Sequence, residues 1–466
     1  MAEKLYKVLD RWQHSPVYRH STYYSLYYEF CPLFIFSGPE GLKFVGNVPL
    51  IKRLSRERGG LHLAFSSLAE QFETSILGLQ LGSDLVVVVF SEDNLAEVHL
   101  SDVFLARPDN FFTRLRTFGV RRGITITDGE VWLEQHKFAL KHLHQLGFGK
   151  VMMKSLIKEE LGYFIELLRS ERENICVSKY LAPLVLNVLW TIVAGSRFSL
   201  DDPQLGRLLE LMSVLNHLNS QLRDFIVAEI ETHKKTRTGE IRDFIDLYLS
   251  TIDAPETNKD IFNEDQLVAV CLDFFIAGSQ TTSNTLGFAL LAMVRHPDVQ
   301  PKFNDYFGFV CYRLNYVSAV LLESMRTCHV VPVTGPRRAT QTTTVGGYTI
   351  PEGTTVLMSV HSILNDKKRW GDPEVFRPER FLDSDGNIVN SERLYFYGRA
   401  KMHGEALARN FIFQFFTSLL YHFEFSATPG KTLPTTPIPG ITLSPQPYFV
   451  DVRPRHPAQT TEHRHG

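Results

Sequence analysis

Three stretches of this sequence gather side chains that could do chemistry. Residues 395–409 read YFYGRAKMHGEALAR, in which Gly398 and Gly404 bound a short basic loop that opens a helix. The first N–H groups of a helix are unpaired and carry partial positive charge, so such a loop can hold a group against them. Residues 277–282, AGSQTT, set a glycine, an amide and hydroxyls inside an apolar run. A mid-helix Gly278 costs about 1 kcal/mol relative to alanine, and Thr281 and Thr282 can bond back to carbonyls one turn earlier and bend the helix. Such a centre suits either the approach of a ligand or close packing against the glycine. The third stretch, LLESMR (321–326), spaces Glu323 and Arg326 three apart on one helix face. FRPERF (376–381) then supplies Arg380, which could complete a guanidinium–carboxylate network.

Long helices are needed to carry these groups, and the sequence supplies them. Residues 263–297 have Asn263 as an N-cap, Gln266 three later and Pro297 as a stop. At 1.5 Å per residue this helix would be about 50 Å long, enough to cross a domain. Upstream, TSILGLQLGSDLVVVVFS (74–91) is two apolar runs hinged at Gly82-Ser83-Asp84, a hairpin pattern. Helical spacing holds from about 91 to 297, including a core helix over 180–195. A second strand region is expected at VGGYTIPEGTTVLMSV (345–360), and proline-rich loops and strands over 429–454. The reading is mainly α with a small β region, in one domain.

Composition narrows the function. The 49 Lys and Arg balance 51 Asp and Glu, so nucleic acid is not the expected partner. Five cysteines are odd in number, scattered and without a CxxC, which points to reduced thiols rather than a disulfide framework. The first thirty residues hold no apolar run of membrane-spanning length, and the tail HPAQTTEHRHG has a disordered composition.

In this order, AGSQTT, Glu323 with Arg326, FRPERF and the glycine-bounded loop before GEALARNFIFQFF resemble the cytochrome P450 family of haem-thiolate monooxygenases. The likeness is greatest to the animal microsomal class, its insect members in particular. SGPEGLKFVGN (37–47) resembles the family's proline-rich hinge, and NVLWTIVAGSRF (187–198) one of its core helices.

The resemblance implies a triangular α-rich haem domain over 38–454, after a lead of residues 1–37 without a clear anchor and before a disordered tail at 455–466. It implies haem held between the long helix and the 395–409 loop. Thr281 would help deliver protons to bound dioxygen, with Ala277 and Gly278 making room. Gln280 stands where the family often has an acid. Trp132 and Arg337 would face the haem propionates. Glu323, Arg326 and Arg380 would brace the proximal side. Dioxygen, a lipophilic substrate, an NADPH-dependent reductase, a monomeric state and the endoplasmic reticulum membrane are the expected context.

The sequence also departs from the family pattern. Two residues before Gly404, where the axial cysteine is expected, stands Met402, and His403 follows as the other candidate for iron. Ala400 replaces an arginine, and in VWLEQHKF (131–138) His136 stands where a propionate-binding arginine is common, with Lys137 beside it. A neutral ligand gives none of the electron push of a thiolate, so the expectation is a haem protein of monooxygenase lineage, with a catalytically impaired haem binder or a haem-free pseudoenzyme of the same fold as the alternatives.

Overall fold

The computed structural model describes residues 37–42, 44–117, 119–147, 151–213, 219–301, 310–394 and 404–455. Helices α1 (Val48–Arg58) and α2 (Leu61–Gln71) lead into strands β1 (Ile76–Leu81) and β2 (Asp84–Val89). A helical body follows: α3 (Glu92–Leu100), α4 (Phe111–Arg116), α5 (Gly129–Gln145), α6 (Val151–Glu171), β3 (Ile175–Cys176) and α7 (Ser178–Ala194). It continues as α8 (Pro203–Ser213), α9 (Asn219–Thr236), α10 (Phe244–Asp253), α11 (Glu264–Arg295) and α12 (Val310–Cys328). Short strands β4 (Arg337–Arg338), β5 (Thr343–Val345), β6 (Tyr348–Ile350) and β7 (Thr355–Met358) come next. Then α13 (Val360–Leu364), α14 (Lys367–Trp370), α15 (Gly404–His422), β8 (Phe423–Ala427) and β9 (Phe449–Pro454) close the chain. The mainly helical reading with a small β region holds.

The expected hairpin forms, with Leu81 paired to Asp84 so that Gly82 and Ser83 make the turn. Gly82 sits at φ 66°, which a side chain would resist. The 345–360 region divides. β5 and β6 make their own hairpin, whereas β7 runs parallel to β2 and antiparallel to β4, giving the sheet order β1-β2-β7-β4. This crossover fixes Arg337 opposite Val356 and so ties a candidate site residue to the N-terminal hairpin.

α11 is the axis of the body. It is apolar on nearly all sides, as a helix surrounded by others must be, and it packs against α7, α9, α12 and α15. Asn263 caps it as expected, accepting from the N–H of Gln266 at 3.0 Å. The Gln266 side chain does not return to the cap; its Oε1 accepts from the N–H of Gly123 at 2.8 Å and holds the chain before α5. α5 itself is anchored through buried Gln135, which donates to the Ile261 carbonyl and accepts from the Tyr248 hydroxyl at 2.9 Å. These two glutamines position the helix that carries Trp132.

Candidate functional site

The three residues expected to form an ion network do so. Glu323 and Arg326 are both fully buried on α12, joined in a fork by Arg326 Nε to Oε2 at 2.8 Å and Nη2 to Oε1 at 2.9 Å. Arg380 adds Nε to Glu323 Oε1 at 3.0 Å, and the N–H of Arg377 donates to the same oxygen at 2.9 Å. The spare guanidinium protons go to carbonyls: Leu364 and Pro373 accept from Arg326, Trp370 and Val375 from Arg380. Asp372, which sequence reasoning did not single out, accepts from both terminal nitrogens of Arg380 at 3.3 Å and balances the second positive charge. The Trp370 ring lies 5.3 Å from the Arg326 guanidinium, within cation–π range. The network fastens α12 to α14 and to the 3₁₀ turn Pro378–Phe381.

In the centre of α11, Thr281 donates to the Ala277 carbonyl at 2.6 Å. Thr285 rather than Thr282 repeats the back-bond one turn on, donating to the Thr281 carbonyl at 2.8 Å. Ser279, next to Gly278, has a buried hydroxyl with no partner among the described residues. Gln280 is half-buried on the same turn. Gly278 faces α7: a Cβ there would come within 2.8 Å of a Leu189 methyl, so its missing side chain admits Leu189. Of the two readings open for this glycine, close packing is the one with a visible partner.

Four residues before Ala277, Asp273 clasps the loop ahead of α5. It accepts from the N–H groups of Ile124 and Thr125 at 2.7 and 2.9 Å, from the Thr125 hydroxyl at 2.5 Å and from Arg116 at 3.0 Å. Gly123 is needed for this approach, since a Cβ would stand 2.5 Å from Asp273 Oδ2. An acid buried with this many donors is expected to be worth about 2–4 kcal/mol. Asp273→Ala should lower the urea midpoint accordingly and open residues 119–128 to protease, with Asp273→Asn about halfway between.

Trp132 and His136 lie one turn apart on α5 and stack on each other, centroids 4.8 Å apart and planes 17° apart. Lys137 points outward and pairs with Glu134 at 3.1 Å, so it does not stand in for the expected cation beside them. Arg337 is half-buried and has no carboxylate partner among the described residues. Burial holds its pKa below the usual arginine value. Burial and the Arg337 charge together push Arg107 down to about 10. A desolvated guanidinium without a counter-ion calls for an anion, and a haem propionate supplies one. This edge of the site therefore fits the group.

Gly398, Met402 and His403 lie outside the described residues, as do Ala400, the 1–36 lead and the tail from 456 on. Gly404 begins α15. Among the described cysteines, Cys271 is buried in the helical core and Cys328 ends α12 beside the Thr327 hydroxyl. Burial raises the Cys328 thiol to about 11, the state of an inert core residue.

A sequence profile of the family named Cytochrome P450 matches residues 36–223 and 208–452. With this helical body, the buried ion network and the threonine-bearing central helix, the chain belongs to the cytochrome P450 family, a class of haem monooxygenases. Probable cytochrome P450 305a1 of Drosophila melanogaster is 37% identical, covering 89% of this chain and 93% of its own. Farnesoate epoxidase of Bombyx mori is 33% identical over 90% of this chain and 93% of its own, and cytochrome P450 2J5 of Mus musculus 29% over 90% and 91%. The family implies haem, dioxygen, a lipophilic substrate and a redox-partner reductase.

Proposed function

We propose that this chain is a haem-binding member of the family whose monooxygenase chemistry is impaired at the axial position, where Met402 replaces the cysteine and His403 is the second candidate ligand. The observation that carries the reading is the sequence GRAKMHG at 398–404, set in a chain that keeps the Glu323–Arg326–Arg380 network and the threonine-bearing central helix. When bound, haem would supply an iron able to activate dioxygen, a chemistry that a thiolate ligand supports and a neutral thioether or imidazole does not.

The chain's own residues then divide by task. Arg337 and Trp132 would hold the propionate edge, with His136 stacked on Trp132. The Thr281 hydroxyl, its proton directed to the Ala277 carbonyl, would present a lone pair to a proton donor in the distal space, with Ala277 bounding that space and Gly278 packed against Leu189. Gln280 has no carboxylate with which to relay that proton. Glu323, Arg326 and Arg380 would brace the proximal side, and Gly398 and Gly404 bound the stretch of sequence that would supply the iron's ligand. Cys271, buried in the helical core, and Cys328, its thiol raised by burial, offer no replacement thiolate.

Residues 38–454 form the haem domain in this reading. A lipophilic ligand is supported by the Bombyx mori relative, whose name gives it farnesoate, an apolar chain. A monomer at the endoplasmic reticulum membrane belongs to the same reading. Among the described residues no helix is long and apolar enough to cross a bilayer.

The test is spectroscopic. The full chain, supplied with haem and reduced under carbon monoxide, should bind the cofactor and lack the strongly red-shifted band of a thiolate complex. A wild-type spectrum containing that band overturns the reading, and a chain that takes up no haem shows that the framework alone has been kept.

A further inference from the structure

Three histidines from distant parts of the chain meet away from the ion network's carboxylates. His62 lies in the first turn of α2, His329 follows the last residue of α12, and His361 is in α13. The ring centroids of His361 lie 4.9 Å from His62 and 4.6 Å from His329. One ring nitrogen from each of the three falls within 4.8 Å of the others. The placement is specific. A Cβ on Gly60 would come within 2.8 Å of the His62 ring. His329 holds a backbone φ of 26°, uncommon for a residue with a side chain.

The hydrogen bonds around the rings orient them. The Asn365 amide nitrogen donates to the His361 carbonyl at 2.9 Å, which fixes its orientation, and lies 3.2 Å from His361 Nδ1. His329 Nδ1 lies 3.3 Å from the Arg326 carbonyl and needs its proton there, leaving the lone pair on Nε2. Yet His329 Nε2 and His361 Nδ1 face each other at 2.7 Å. A proton on His361 Nδ1 can join the two nitrogens in the metal-free chain, and a bound cation would take its place. The Arg326 guanidinium is turned away, engaged by Glu323 and by backbone carbonyls.

We propose that His62, His329 and His361 form a zinc site of three imidazole nitrogens, closed by water, that fastens α2 and α13 to the end of the ion-network helix. Imidazole donors without thiolate or carboxylate suit this ion, and the His329 Nδ1–H on a backbone carbonyl is the outer-shell contact that metal-bound histidines make. Tetrahedral bonds of about 2.0–2.1 Å require nitrogens about 3.3 Å apart, so the two facing rings, now at 2.7 Å, open by about 0.6 Å and the widest separation, within 4.8 Å, closes by up to about 1.5 Å. His329 and His361 are only partly buried, which leaves the ion a way in.

The full chain is equilibrated with zinc and dialysed against a weak chelator. Retained zinc is counted by elemental mass spectrometry and its ligands are read by X-ray absorption at the zinc edge, which haem iron does not disturb. One zinc per chain, with three imidazole nitrogens at about 2.0 Å, is the expected result. His62→Gln and His361→Gln should each weaken retention at least about a hundredfold, whereas changing the tail histidines His456, His463 and His465 to glutamine should leave it unchanged. Where a variant does not fold, the wild-type absorption spectrum decides. No retained zinc, an oxygen- or sulfur-dominated shell, or zinc lost with the tail histidines and kept in His361→Gln would each overturn the assignment.

Discussion

Arg326→Ala is expected to abolish the folded state or bring it to the edge of unfolding. Arg326 and Glu323 have no exposed surface, so removing the arginine strands a carboxylate in the core with Arg380 and one backbone N–H as its remaining donors. Breaking such a pair costs about 3–5 kcal/mol, against a total stability of about 5–15 kcal/mol for a typical domain. The carbonyls of Leu364 and Pro373 lose their donor at the same time. Arg377→Ala is the contrasting case. Arg377 pairs with Asp372 at 2.8 Å through a half-exposed side chain, and exposed pairs are worth about 0–1 kcal/mol. Urea unfolding followed by circular dichroism should place the Arg377 variant near wild type and find the Arg326 variant insoluble or with a midpoint reduced by a third or more. Arg326→Lys keeps the charge and loses the fork, so it belongs between them. A wild-type midpoint for Arg326→Ala would show that the network does not carry the proximal side.

What the sequence displays of this architecture is what short-range spacing can encode. Asn263 and Pro297 bracket α11 because caps and stops act within one turn, and the hairpin is legible because strand alternation and a glycine turn are local. Glu323 and Arg326 are readable for the same reason, being neighbours on one helix face. Long-range partners are another matter. Nothing in TTVLM tells that β7 will join β2 instead of extending the β5–β6 hairpin, since both choices satisfy the same alternation. Gln266 fits a capping pattern, yet its amide goes to Gly123, 143 residues away. Asp273 did leave a signal. It is the one charged residue between Asp265 and Arg295, and an isolated acid in a buried helix must find donors. The histidine triad left none, because its members come from three segments with no common spacing.

Met402→Cys is expected to produce the largest functional change. The substituted thiol would sit two residues before α15, where the unpaired N–H groups and partial positive charge of a helix start favour the anionic form of sulfur. The reduced carbon monoxide complex should then acquire the red-shifted thiolate band, and reductase-dependent oxygen insertion into a lipophilic substrate should become measurable above the wild-type background. Ala400 removes a neighbouring cation, so the recovered band should strengthen in the double variant Ala400→Arg, Met402→Cys. Thr281 can be tested only in that restored background. Its hydroxyl is held by the Ala277 carbonyl at 2.6 Å, and losing a positioned proton-transfer group commonly costs 10²–10⁴-fold, less where water can replace it. Thr281→Ala should therefore lower product formed per NADPH consumed by about tenfold or more, and Thr281→Ser should recover most of it. A split outcome is informative. A restored band without turnover places the defect in His136 or Gln280 as well as at residue 402, and unchanged coupling in Thr281→Ala removes the hydroxyl from the proton path. If Met402→Cys binds haem yet gives no red-shifted band, residue 402 is not the axial position, and His403 becomes the residue to change.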